Sequence, residues 1–429
     1  MDGRRVNAAG TVTRRAGGLV AFLRAQTTGG LLLGAAMVAA LVWVTVAPGA
    51  YHAVWSAPAG LGPPWLHLAD LHVTDWVADG LLAVLFFVVG LELKRELTVG
   101  GLADRASAAL PVAAAAGGML APALICLALT HHTPGAGRVW AIPVATDIAF
   151  ALGVLSLAGD RVPAGLRGVL LGLAGADDLG GILLIALVFP TGIAVGWLAA
   201  AAVLLAVVAV MHRHRWESPG LHLPLAVAVW VCVHAAGIHA TVAGFALGLL
   251  VPVHPGPGER APLAVRLERR LSPICAAVII PVFALSATGV SLAPSALADV
   301  ATDPVARGVA VGLLVGKFLG VPAGVWVAVR LGARLPAGMS WRHLIPLGLL
   351  AGVGYTVSLL ITRLALDNPG AVEGASTAIL TASIAASALA LIALRFPLAA
   401  SDAGLPASVV HGRPPVQRSD SGPSVNTST

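Results

Sequence analysis

Twelve apolar runs, near 29–47, 77–94, 106–129, 139–158, 165–188, 193–211, 222–237, 240–252, 273–292, 306–329, 343–363 and 375–395, constrain this chain more than any other feature. Crossing a bilayer core of roughly 30 Å takes about 20 apolar residues in a helix. Runs of that length in such number predict an all-α polytopic membrane protein. Composition agrees: 58% of the 429 residues are hydrophobic and 11% are charged, where a soluble domain carries about a quarter charged residues. Gly and Pro lie among Ala, Val and Leu rather than in polar tracts, as transmembrane helices tolerate.

Loop charge gives an independent count. Of the 26 Lys and Arg, Lys317 is mid-span and only Arg138, Arg307 and Arg363 fall on one set of loops; the other 22 fall on the opposite set. Positively charged loops stay cytoplasmic, so both termini are expected in the cytoplasm. The seventh and eighth runs are short. Merging them would leave eleven spans and scramble the alternation, so twelve is favoured. The same loops explain a pI near 10 without a nucleic-acid partner. Residues 1–28 read as a cytoplasmic segment without a cleavage site, 29–396 as the membrane domain, and 397–429, rich in Ser and Pro, as a disordered tail. Segment 48–76 reads as an extracytoplasmic hairpin, a surface helix or a plain loop. Cys126, Cys232 and Cys275 lie in separate runs and suggest neither disulfide nor metal site.

Four charges stand near the middle of a span: Asp147, Asp177, Asp178 and Lys317. Each costs roughly 2.5–3.5 kcal/mol at the bilayer centre, so together they oppose insertion by on the order of 10 kcal/mol. They must pair, neutralise or line a wet cavity. One Asp–Lys pair could merely join helices, but it would leave two carboxylates unexplained. Adjacent residues diverge by about 100° around a helix, so one of Asp177 and Asp178 can face Lys317 while the other faces a cavity. Carboxylate oxygens suit a small hard cation, and a proton competes for the same oxygens. Lys317 stands out in a chain with 24 Arg and two Lys, because a buried Lys can deprotonate and an Arg cannot.

Two spans carry helix breakers at the same depth. Pro143 disfavours helix at Ile142, ahead of Thr146 and Asp147, and Gly352 and Gly354 flank Val353. Ile142-Pro143 recurs as Ile345-Pro346, so spans three to five and ten to twelve are expected as inverted repeats with two broken, crossing helices. Asp147 would offset facing helix N-termini and Lys317 facing C-termini.

The stretches Ala145-Thr146-Asp147-Ile148-Ala149-Phe150, Asp177-Asp178-Leu179-Gly180, Gly90-Leu91-Glu92-Leu93-Lys94-Arg95-Glu96, Gly237-Ile238-His239-Ala240-Thr241, Gly289-Val290-Ser291-Leu292 and Gly316-Lys317 resemble the NhaA family of Na⁺/H⁺ antiporters, in the family's order and over about 43–394. The resemblance implies an electrogenic secondary transporter in a bacterial plasma membrane, expelling Na⁺ or Li⁺ against protons, with no cofactor, no enzymatic activity and no nucleic-acid partner. It implies Asp178 as principal cation ligand and proton carrier, Asp177 as its partner and the counterion of Lys317, and Thr146 as a further oxygen. Asp147 and Lys317 would balance the broken helices. Glu92, Arg95, Glu96, His239 and Glu268 would serve the pH response; a homodimer is a possible assembly, and the sequence leaves open whether 48–76 would pair the two copies. Phe318 stands where the family usually has Pro. A cation-coupled symporter is the nearest rival. An intramembrane aspartyl protease using Asp147 and one of the pair is disfavoured by Lys317 and by the lack of a Gly-Xaa-Gly-Asp motif.

Overall fold

The computed structural model describes residues 26–395 except 62–65, 67, 159–161, 191, 217, 291–292 and 337. Expectations for the N-terminal segment, for 291–292 and for the tail lie outside the described residues. Within them the protein is helical, with a single isolated bridge between Pro58 and His72. The helices are α1 (Gln26–Val46), α2 (Pro48–Trp55), α3 (Val73–Thr98), α4 (Arg105–Thr130), α5 (Ile148–Leu157), α6 (Ala164–Val188), α7 (Val195–Arg213), α8 (Pro219–Ala235), α9 (Thr241–Leu250), α10 (Leu263–Ala287), α11 (Pro294–Thr302), α12 (Pro304–Arg330), α13 (Leu344–Ala351), α14 (Tyr355–Ala365) and α15 (Pro369–Arg395). Among the described residues nine helical stretches are long and apolar enough to cross a membrane, and α13 with α14 forms a tenth, bent by 48°. The protein is a polytopic membrane protein. The seventh and eighth runs form α8 and α9, of 17 and 10 residues, the latter well under the length a straight crossing needs.

Local sequence starts these helices in recognisable ways. Asp104 caps α4 by accepting the Ser107 amide at 3.0 Å, and Asp303 caps α12 by accepting the Ala306 amide at 2.7 Å, with Pro304 in the first turn. Segment 48–76 is a helix followed by a short ladder, in which Ala59 donates to Leu71 and Leu61 to Leu68.

Small residues hold the helices together. A Cβ added at Gly117 on α4 would run into the Gly320 carbonyl on α12, and one at Gly320 into the Gly117 carbonyl. Gly244 and Gly248 on α9 meet α3 at the Ala83 and Phe87 carbonyls in the same way. In lipid, association rests on such close packing rather than on apolar burial. Gly117→Val should therefore push α4 from α12 and lower stability by about 1–3 kcal/mol, read as earlier loss of the monodisperse peak on heating in detergent. Gly237, at φ 80° between α8 and α9, lies against the Gly192 carbonyl, so the turn admits no side chain.

Three helices contain a wide, π-helical turn: Trp76–Leu81 in α3, Cys275–Ile279 in α10 and Gly312–Gly316 in α12. Such turns concentrate at functional positions. The last of them directly precedes Lys317, and Phe318 simply continues the helix beyond it.

Candidate ion site at the crossing of two broken spans

The break before α5 lies later than Pro143 suggests. A 3₁₀ turn, Val139–Val144, accommodates Pro143, and the chain is extended at Ala145 and Asp147 before α5 begins. The second interruption falls at 352–354, between α13 and α14, where Gly352 and Gly354 stand. The interrupted backbones meet. The Asp147 amide donates to the Val353 carbonyl at 2.6 Å, and the Thr146 hydroxyl to the Ala351 carbonyl at 2.8 Å. These contacts occupy backbone groups that the breaks release, as irregular backbone at this depth requires.

Charge follows from those free helix ends. Asp147 accepts the Phe150 amide at 2.9 Å on one oxygen and the Thr356 amide at 3.0 Å on the other. One carboxylate thus sits on the N-terminal ends of both α5 and α14, where helix dipoles favour negative charge. Opposite it, Lys317 donates to the Val144 carbonyl, at the C-terminal end of the 3₁₀ turn.

Lys317 also donates to Asp177 Oδ2 at 2.8 Å. Both side chains are sealed from solvent, at 0% and 1% relative exposure. Asp177 Oδ1 is equally buried and has no hydrogen-bond partner. Asp178, one residue on, faces the other way, onto a cavity of about 1320 Å³ whose lining includes Thr146, Asp147 and Thr356. Its lining extends to Glu92, Arg95, Glu96, Ser272 and Arg334, toward the loops that carry the basic residues. The same cavity is thus lined both by Asp178 and by residues near that face.

The remaining expected residues form two separate groups. Glu92, Arg95 and Glu96 line the cavity near its mouth, where the Arg95 guanidinium lies 3.3 Å from Glu268 and 3.9 Å from Glu96. That contact ties α3 to α10. His239 belongs to a different cluster. Its Nε2 is 3.0 Å from Asp79 Oδ1, whose other oxygen is 3.5 Å from His234 Nδ1. The Trp230 indole donates to the Asp79 carbonyl and stacks on both Trp76 and His234. Sequence reading passed over Asp79 and His234. The available signal was an acidic residue just inside one apolar run, with His234 and His239 ending one run and opening the next. Thr356 acts through its backbone amide just after the second break, a role that depends on the fold.

Among the described residues no three His, Cys, Asp or Glu side chains gather as a metal site. The arrangement offers instead two carboxylates, one of them held by an ammonium, with hydroxyl and carboxylate oxygens around the cavity.

Comparison with known proteins identifies the family by sequence. The family profile Na⁺/H⁺ antiporter 1 matches residues 20–394. The chain is 75% identical to the Na⁺/H⁺ antiporter NhaA 2 of Frankia alni, over 93% of this chain and 82% of that protein. It is 50% identical to the Na⁺/H⁺ antiporter NhaA 1 of Saccharopolyspora erythraea, over 87% and 90%, and 49% identical to the Na⁺/H⁺ antiporter NhaA 2 of Rhodococcus jostii, over 85% and 90%. By its profile match and these identities, the chain belongs to the NhaA family of Na⁺/H⁺ antiporters.

Proposed function

We propose that the protein exchanges Na⁺ or Li⁺ for protons through a single site at Asp178, with Asp177 as second carboxylate and Thr146 as a neutral oxygen ligand. It is a secondary transporter of a bacterial membrane rather than an enzyme, and the cation is cargo, so no cofactor enters. The observation that carries this reading is the division of labour within the adjacent pair. Asp177 is spoken for by Lys317 on one oxygen and unpartnered on the other, while Asp178 opens on the cavity.

The chemistry follows from competition. A carboxylate that binds a proton cannot ligate Na⁺ with the same oxygens, and one that binds Na⁺ has released its proton. Occupancy by either ion therefore excludes the other, which couples their movement. Electrogenic exchange needs more than one proton per cation. Lys317 is the buried group able to supply it, since a cation drawn to Asp177 weakens the partner that keeps the ammonium charged.

The finer architecture belongs to the same proposal. Residues 29–396 form the transport domain, α8 and α9 complete twelve crossings, and the 22 basic residues on one set of loops favour a cytoplasmic position for both termini. The α4–α6 region and the α12–α15 region are inverted repeats about the crossing, and α2 with the short ladder after it pairs two copies. Glu92, Arg95, Glu96 and Glu268 would serve the pH response of cation entry, a reading supported by the Arg95–Glu268 contact beside the cavity. His239 would act separately, through Asp79.

Thr146→Val tests the ligand assignment. It removes a hydroxyl that spends its proton on Ala351 and keeps its lone pairs for a cation. Loss of the hydrogen bond is expected to lower stability by about 1 kcal/mol, and loss of the oxygen to raise the apparent KM for Na⁺ in proteoliposomes by about tenfold. An unchanged KM removes Thr146 from the site.

A further inference from the structure

The cavity reaches the ion site from one face only. On the other side of the crossing Ile142, Phe283, Tyr355, Leu360 and Ile361, each at most 1% exposed, pack in one cluster. An antiporter must open that side, and the residues that close it have a definite pattern.

The pattern centres on the end of α10. Its final carbonyls lack partners within the helix, as at any C-terminus, and side chains from two other elements occupy them. The Tyr51 hydroxyl, on α2, donates to the Leu285 carbonyl at 2.7 Å. The Arg363 guanidinium, near the end of α14, donates to the Ser286 carbonyl at 3.0 Å and to the Thr74 hydroxyl at the start of α3 at 2.7 Å. Thr288 gives its own proton to the Ala284 carbonyl at 2.5 Å, which leaves its oxygen to accept from the Tyr355 hydroxyl. Tyr355 opens α14 and is next to Thr356, whose amide holds Asp147 at the site.

We propose that the end of α10, residues 285–288, is the gate on the far face of the transporter, and that Tyr51, Tyr355 and Arg363 latch it shut in the state described here. α14 runs from the ion site to this latch, so a shift of the crossing that accompanies cation binding pulls Tyr355 and Arg363 from α10 together. The wide turn at Cys275–Ile279, followed by Pro281, gives α10 a place to bend below the gate. Every bond in the latch is to a terminal carbonyl or a hydroxyl that water can replace once the gate opens, so opening strands no polar group. Burial pushes the Tyr51 phenol up to about 12, against the influence of Arg363, which keeps that donor protonated at working pH.

The inference assigns gating to groups that touch neither ion, and it is tested by comparing the two faces. Tyr355→Phe, Thr288→Val and Arg363→Gln each weaken the latch by one contact. Apparent affinity scales inversely with the fraction of protein in the competent state. Each variant should therefore lower the apparent KM for Na⁺ presented at the far face by about two- to tenfold, without lowering it at the cavity face. A cysteine placed at Leu359, in protein with Cys126, Cys232 and Cys275 replaced, should react faster with a membrane-impermeant maleimide from the far face when Tyr355→Phe is added. Equal changes in KM on both faces, or no change on either together with unaltered labelling, would overturn the assignment. Should Arg363→Gln fail to give monodisperse protein, the two hydroxyl deletions decide, since each removes a single oxygen.

Discussion

Asp178→Asn is expected to abolish Na⁺-driven proton release in everted vesicles, lowering exchange by at least about a hundredfold, while the protein folds and inserts normally. The substitution keeps the shape of the side chain and an oxygen on the cavity, but it removes both the negative charge and the protonation equilibrium. Asp178 makes no ion pair with Lys317, whose ammonium is held by Asp177, so the structure loses little. Exchange loses everything that competition at this carboxylate supplies. Full exchange by Asp178→Asn would remove Asp178 from the centre of the account.

Lys317→Ala is expected to have the largest effect on stability. It leaves Asp177 charged and buried with no partner and leaves the Val144 carbonyl without its donor. Breaking a buried pair from one side costs about 3–5 kcal/mol, enough to unfold many proteins outright. The double substitution Asp177→Asn with Lys317→Met should recover much of that loss, because no buried charge then remains unpaired. Thermal unfolding of Asp177→Asn, Lys317→Met and the double variant would show this as strong non-additivity. Additive losses would mean that the pair is not an energetic unit. Lys317→Arg keeps the charge and removes the capacity to titrate, so it should change the pH profile of exchange more than the melting temperature.

The two experiments bear on different features of one arrangement, and these features were unequally legible in the sequence. The charges at 147, 177, 178 and 317 announced themselves because an ionised group in the middle of an apolar run is expensive whatever its neighbours are. Breaks near Pro143 and between Gly352 and Gly354 were visible because Pro and Gly act on the local backbone. The position of the first break was less so. Pro143 fits within a 3₁₀ turn, and the chain leaves helical geometry only after it, where Asp147 and Thr146 bind the other broken span. That contact joins residues some 200 positions apart, and no local preference encodes it.

The same limit explains what was overlooked. Asp79 counted as an end-of-span charge until folding placed it between His234 and His239. Arg363 counted as one of three basic residues on the sparsely charged side, whereas it reaches across 289 positions to Thr74 and caps α10. The wide turns in α3, α10 and α12 share no residue signature, since Trp76–Leu81, Cys275–Ile279 and Gly312–Gly316 differ in composition from one another. Grouping Glu92, Arg95, Glu96, His239 and Glu268 as one set also dissolved in three dimensions. Four of them gather near the cavity mouth, and His239 stands apart on Asp79.

Competition between cation and proton at one carboxylate is the central claim, and its most direct test is exchange in proteoliposomes under Na⁺, Li⁺ and K⁺ gradients across a pH series, with membrane potential monitored. The account predicts that Na⁺ and Li⁺ drive proton movement, with an apparent KM for Na⁺ that rises about tenfold for each unit of acidification in the acidic range while the rate at saturating Na⁺ is retained, as a shared site requires. An apparent KM independent of pH, with the maximal rate alone falling as protons are added, would contradict it.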